Sequence, residues 1–116
     1  MTISVDYDFE NDDLFVYKKG AKSKMTIDLD DVLLDFDNKG IVGMEILDAS
    51  KIFKVDKYDL LKNLIKFEAV IKITKDVIKL NMKLEVLKRN KEIVRESTIK
   101  GLNYNGLNEG EMEITC

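Results

Sequence analysis

The stretch VIKLNMKLEVL, residues 77–87, constrains the fold more than any other part of this chain. Ile78, Leu80, Met82, Leu84 and Val86 alternate without a break with Lys79, Asn81, Lys83 and Glu85. Successive side chains of an extended strand point to opposite faces, so this run demands a strand with one apolar and one polar face. Such a strand needs a sheet around it and cover over its apolar side. A helix over residues 57–90 competes, because Leu60, Leu64, Phe67 and Ile71 make a helical stripe and Lys, Leu, Met and Glu favour helix. It fails after residue 76 against five consecutive period-two matches.

FEAVIKI (67–73) and EIVRESTIKGL (92–102) flank this strand, with turns at Lys75-Asp76 and at Arg89-Asn90-Lys91, which predicts a three-stranded meander. Earlier, ISVDY (3–7) and LFVY (14–17) read as a hairpin joined by DFENDD, with Ile3, Val5 and Tyr7 on one face. KMTIDL (24–29), VLLDF (32–36) and IVGMEIL (41–47) complete a four- or five-stranded antiparallel arrangement. Asp48 is placed to cap a helical turn through Ala49–Phe53, and Asp56 to cap a second segment in which Tyr58, Leu61, Leu64 and Ile65 recur at helical spacing. Residues 103–116 fit either a final edge strand or a frayed tail.

The expected fold is therefore α+β, predominantly antiparallel sheet, with one short helical segment around residues 48–65. A chain of 116 residues fits a single domain over 1–116, in which a hairpin half (3–53), a helical connection (54–66) and a meander half (67–116) share one core. With 45% hydrophobic and 35% charged residues it is a folding composition rather than a disordered one.

Several function classes are excluded by residues the chain lacks. With no His there is no imidazole base, no Ser-His or Cys-His nucleophile pair, and none of the commonest zinc or copper ligand. The single Cys116 allows no internal disulfide and no thiolate cluster, leaving an inert thiol able at most to link two chains. No apolar run approaches the ~20 residues of a membrane span, and MTISVDYD has neither a basic start nor an apolar stretch, so a cytoplasmic location with no membrane partner and no cofactor is expected. Any enzymatic chemistry would have to rest on carboxylates.

Two acidic loops and one basic surface are the candidates. In DFDNKG (35–40), Asp35, Asp37 and Gly40 match a calcium loop, but Lys39 and Ile46 occupy two positions where oxygen ligands belong. Asp-Asn-x-Gly between alternating strands is more simply a turn. DFENDD (8–13) gathers Asp8, Glu10, Asp12 and Asp13, which could share a proton or hold Mg²⁺, although a solvated hairpin tip is the plainer reading. Lys79 and Lys83, with Lys72, Arg89, Lys91 and Arg95, would form a basic stripe for nucleic acid. The only aromatic of the meander, Phe67, points inward, and the pI of 5.1 opposes binding to phosphates, so nucleic acid is not the expected partner.

Charge is unevenly spread: residues 1–56 carry 13 acids and 7 bases, whereas residues 57–116 carry 9 acids and 12 bases. Opposite signs in the two halves fit mutual attraction across a fold or dimer, or two surfaces with different partners.

Tyr7-Asp8, Glu10, Asp12 or Asp13, Leu14-Phe15-Val16, Leu34-Asp35-Phe36-Asp37, Gly40, Ile41-Val42-Gly43 and Glu45-Ile46-Leu47-Asp48-Ala49-Ser50 resemble the signature of the domain-of-unknown-function 2283 family. The resemblance covers residues 3–53; Phe15 and Met44 stand where Tyr and Ile are usual, and residues 54–116 fall outside the pattern. It implies a compact β-hairpin unit with no established activity, no catalytic residues to carry over, and for some members an antitoxin-like role. The function expected is a non-enzymatic protein-interaction module that binds a protein partner or forms a homodimer through edge strands 3–7 and 111–115. The alternatives are a carboxylate-dependent, metal-assisted hydrolase, which requires the acidic loops to converge, and a weak nucleic-acid-binding sheet surface.

Overall fold

The computed structural model describes residues 3–116, so the first two residues of the MTISVDYD amino terminus lie outside it. The chain folds as α+β, with two antiparallel sheets joined by two short helices. The first sheet contains β1 (Ile3–Asp8), β2 (Asp13–Lys18), β3 (Met25–Asp28), β4 (Val32–Asp37) and β5 (Gly40–Ile46), in the order β1-β2-β5-β4-β3. Helices α1 (Ala49–Phe53) and α2 (Lys57–Lys62) follow. The second sheet contains β6 (Leu64–Ile73), β7 (Val77–Lys88), β8 (Lys91–Leu102) and β9 (Gly110–Thr115), in the order β8-β7-β6-β9.

Alternation in the sequence becomes burial in the fold. The five inward apolar residues of β7, Ile78, Leu80, Met82, Leu84 and Val86, are at most 2% exposed. Across the first sheet, Leu14 pairs with Ile46 and Val16 with Met44, and these pair in turn with Val32 and Leu34. All six are buried on one face. The inner faces of both sheets contribute to one apolar cluster. Their approach is close: a Cβ on Gly40 would lie 3.1 Å from Met112 Sδ of β9, and one on Gly101 of β8 only 2.4 Å from Leu29 Cδ2. The β7–β8 hairpin closes through Arg89 and Asn90, both at positive φ, the backbone of a two-residue turn that matches strand twist.

Three sequence expectations need correction or completion. The meander gains a fourth strand, because β9 pairs with β6 from Glu68↔Thr115 to Ile73↔Gly110 and buries Ile114 against the core. Tyr58, Leu61, Leu64 and Ile65 are not one helix face. Helix α2 stops at Lys62 and buries Leu60, while Leu64 already pairs with Val86 in β6, leaving Tyr58, Leu61 and Ile65 exposed. Sheet pairing, seen also in Leu87 N donating to Asn63 O at 2.9 Å, overrides the local helical spacing. Asp48 and Asp56 do occupy the N-cap positions, but neither side chain makes a capping bond.

Helix α1 is tied to the second sheet by Phe53, whose ring meets Phe67 edge-on at 6.5 Å and 87°. Both rings are essentially fully buried. Replacing Phe67 with Ala should destabilise the fold by about 3–5 kcal/mol, the range for emptying a buried aromatic site. Urea unfolding measures this; an unchanged midpoint would show that the ring is not part of the core.

Candidate functional site: a bonded carboxylate and an acidic sheet face

The four acids of the 8–13 turn have different roles. Asp8 Oδ1 accepts the backbone N–H groups of Glu10 and Asn11 at 3.1 Å, and Oδ2 accepts from Asn11 Nδ2 at 2.8 Å, so this carboxylate builds the turn. These bonds lower its pKa, since they favour the charged form. Glu10 is exposed to solvent. Asp12 is 7% exposed, and its left-handed backbone (φ 56) turns the side chain inward.

Asp12 is the node of a buried network. Tyr7 Oη donates to Oδ1 at 2.5 Å, Ser50 N–H donates to Oδ1 at 3.0 Å and Ser50 Oγ donates to Oδ2 at 2.6 Å. The Asp12 backbone carbonyl also accepts from Ala49 N at 3.0 Å. A residue 38 positions upstream of Ser50 therefore supplies the helix cap that Asp48 does not. Burial pushes the Asp12 pKa up, but the bonds from Ser50 and Tyr7, with the charge of Lys57, reverse this and leave it lowered. Tyr7 is raised by burial and by the same carboxylate. A serine bonded to a carboxylate invites a nucleophilic reading, yet a general base works with a pKa raised toward neutrality, and this one moves away. The arrangement holds a helix in place.

Asp13 belongs to another surface. Asp6, Asp8, Asp13, Glu45 and Asp35 lie on the outer face of the first sheet, as the registers Asp6↔Phe15, Asp8↔Asp13, Phe15↔Glu45 and Asp35↔Gly43 require. Partial burial first, and then neighbouring acids, raise both Asp13 and Glu45, which share a hydrogen bond. Tyr17 Oη donates to Asp6 at 2.7 Å, and Thr26 Oγ1 to Asp35 at 2.5 Å.

The 35–40 loop is a turn. Asp37 Oδ1 accepts from Lys39 N at 2.7 Å and from Gly40 N at 3.1 Å, which closes the β4–β5 connection. Because β2 pairs Leu14 with Ile46, the 8–13 turn sits beside the end of β5, while the 35–40 turn sits at its start. The length of β5, roughly 20 Å at 3.3 Å per residue, separates the two acidic loops. The convergence on which the hydrolase alternative depends is not the observed geometry. Among the described residues no three acids or Cys are grouped to hold a metal.

The basic stripe is assembled only in part. Lys79 and Lys83 do share the outer face of the second sheet, but Lys83 stands between Glu68 and Glu96. Lys79 stands between Lys72 and Lys100, and Lys72 is followed by Glu111. Arg95 pairs with buried Leu84, so it points to the other face, where Nε reaches Lys54 O at 3.5 Å. Arg89 lies in the β7–β8 turn. A second cluster went unnoticed in the sequence: buried Asp59 accepts from Asn63 Nδ2 at 2.8 Å and lies 3.5 Å from Lys88 Nζ, which also bonds Asp56. The i,i+4 spacing of Asp59 and Asn63 is its one local signal. Burial raises the Cys116 pKa, which keeps it a thiol.

Asp12→Asn, which suits the left-handed backbone but puts an amide donor where an oxygen accepts, should cost about 1–3 kcal/mol in chemical denaturation. A pH series separates two opposite effects. Asp12 and Asp8 have lowered folded pKa values, so their stabilisation is complete above the usual 3.8 and disappears as pH falls through the folded values. Asp13 and Glu45 are raised from 3.8 and 4.5, so their contribution is full below those values and is lost as pH rises through the folded ones. Stability should therefore rise on mild acidification from neutral pH and fall at stronger acid. Glu45→Gln should remove part of the rise, and Asp12→Asn part of the fall; thermal midpoints against pH test both.

Residues 4–50 match the family described as Protein of unknown function (DUF2283). An uncharacterised protein of Methanocaldococcus jannaschii is 68% identical over 115 residues, covering 98% of this chain and 99% of that protein. A Methanosarcina mazei protein named "Putative hypoxanthine phosphoribosyltransferase" is 43% identical over 111 residues, 95% of this chain and 85% of its own length. No solved structure matches. The chain belongs to the family of the uncharacterised M. jannaschii protein, and its residues 4–50, the first sheet with the start of α1, carry the DUF2283 pattern.

Proposed function

We propose that this protein is a cytoplasmic, non-enzymatic protein-interaction module, one domain over residues 1–116, which works by binding a protein partner. The observation that carries the reading is a group of exposed apolar residues near an edge strand. β1 is an outer strand of the first sheet. Next to it runs a groove lined by Val5, Tyr7, Leu60, Leu61 and Leu64, with Asp6 and Lys62 among them. Tyr58, Leu61 and Ile65 around it are 62%, 43% and 47% exposed. Apolar surface beside free backbone hydrogen-bonding groups is what a partner strand or helix buries. An antitoxin-like role is the specific form that the DUF2283 pattern suggests.

The nucleic-acid reading draws less support: Lys72, Lys79 and Lys100 form one row, but Glu111 ends it and Lys83 is flanked by Glu68 and Glu96. The name of the M. mazei relative suggests a phosphoribosyl-transfer reading. Against it, the amino terminus of α1, where a phosphate would gain most from backbone N–H groups, already holds the Asp12 carboxylate.

Leu61→Asp with Ile65→Asp should abolish capture of a defined partner from the source lysate while leaving the thermal midpoint within a few degrees, because both positions are exposed. A partner retained by the double variant overturns this surface. Incubation with hypoxanthine and a phosphoribosyl donor should give no nucleotide, and measurable turnover would overturn the non-enzymatic reading.

A further inference from the structure

The four outer strands are not equivalent. β1 presents Ser4, Asp6 and Asp8 on the outer face, β3 presents Thr26 and Asp28, and β9 presents Glu111 and Glu113. Pairing β1 or β9 with its own copy brings acids together with no base to offset them, and β3 is four residues long with Lys24 at its start as a nearby base. β8 is the exception. Its outer face reads Glu92, Val94, Glu96, Thr98, Lys100, Leu102, with Val94 42% and Leu102 55% exposed.

We infer that β8 is a homodimer interface, pairing antiparallel with β8 of a second copy about a twofold axis at Thr98 to make one continuous eight-stranded sheet. In an antiparallel pair, facing residue numbers sum to a constant, and continuity of the two sheet faces requires that constant to be even. With the axis at Thr98, Glu96 faces the partner's Lys100, Lys100 faces the partner's Glu96, and Val94 and Leu102 cover each other twice. On the other face Arg95, which reaches back to Lys54 O of its own copy, stands opposite the partner's Gly101, and Ser97 stands opposite the partner's Ile99. Neighbouring registers lose this match. An axis at Glu96 sets that acid against itself, one at Ser97 sets Val94 against Lys100, and one at Ile99 sets Glu96 against Leu102. Among the described residues no backbone hydrogen bond reaches the outer edge of β8.

The inference shares the interaction reading above but uses a different edge strand, on the other sheet, so the two fail independently. Sedimentation velocity across a roughly hundredfold concentration range should show a concentration-dependent dimer. Glu96→Lys and Lys100→Glu, each alone, set like charges opposite one another at both contacts and should weaken it at least about tenfold. An equimolar mixture of the two variants sets opposite charges at both contacts again, so a heterodimer should form. Both positions are exposed, and thermal midpoints of the separate variants report that they fold. A wild type that stays monomeric, single variants that dimerise as tightly as wild type, or a mixture that stays monomeric each overturns the inference. Partner capture by the Glu96→Lys monomer, with and without the Leu61 and Ile65 substitutions, reads out the β1 groove separately.

Discussion

The buried carboxylate of Asp12 is the interaction on which the join between the two halves depends. Removing a charge from water is expensive, and such a group persists only when its lone pairs are filled. Here Tyr7 Oη, Ser50 N–H and Ser50 Oγ fill them. A helix as short as α1, Ala49–Phe53, does not hold itself together in water. Anchored at Ser50, it carries Phe53 into the core against Phe67 of β6. One acid in a hairpin turn thus fixes the route by which the first sheet reaches the second.

What the sequence discloses is what local periodicity can encode. β7 is legible because its faces are written residue by residue, and the inward set Ile78 to Val86 is the buried set. Asp12 is illegible because four neighbouring acids look alike on the page. They differ only once a left-handed backbone at residue 12 turns one of them toward a helix that is remote in sequence. The spacing of Tyr58, Leu61, Leu64 and Ile65 misleads for a related reason: the pairing of Leu64 with Val86 is a long-range bond that local spacing cannot foresee. β9 has only Met112 and Ile114 to announce it, too few for a periodic signal, and it is defined by its partner β6.

The charge asymmetry acquires a location in the fold. Asp6, Asp8, Asp13, Glu45 and Asp35 share one outer face, where partial burial and then the neighbouring acids raise Asp13 and Glu45. The second sheet disperses its charges instead, with Lys66 bonded to Glu68 at 2.6 Å and Lys83 between Glu68 and Glu96. The first sheet thus has a single-signed outer face and the second a mixed one. The first face sets up a long-range field, while the second is governed by individual pairs.

The point where the family pattern stops has a physical meaning. The match ends at residue 50, and Ser50 is the residue that closes the Asp12 network. Up to that residue the first sheet has satisfied its own buried polar groups but not covered its apolar face, where Leu14, Val16, Val32, Leu34, Met44 and Ile46 lie. An open sheet with one apolar face needs a second layer. Here the layer is Leu64–Thr115 of the same chain, whose inner residues join the same cluster. Similarity to the M. jannaschii protein runs over 98% of the chain, so in that family the covering sheet accompanies the patterned one. Residues beyond the pattern are thus the other half of its core, and the surface left for recognition is the outer faces and edges that neither sheet can cover for the other.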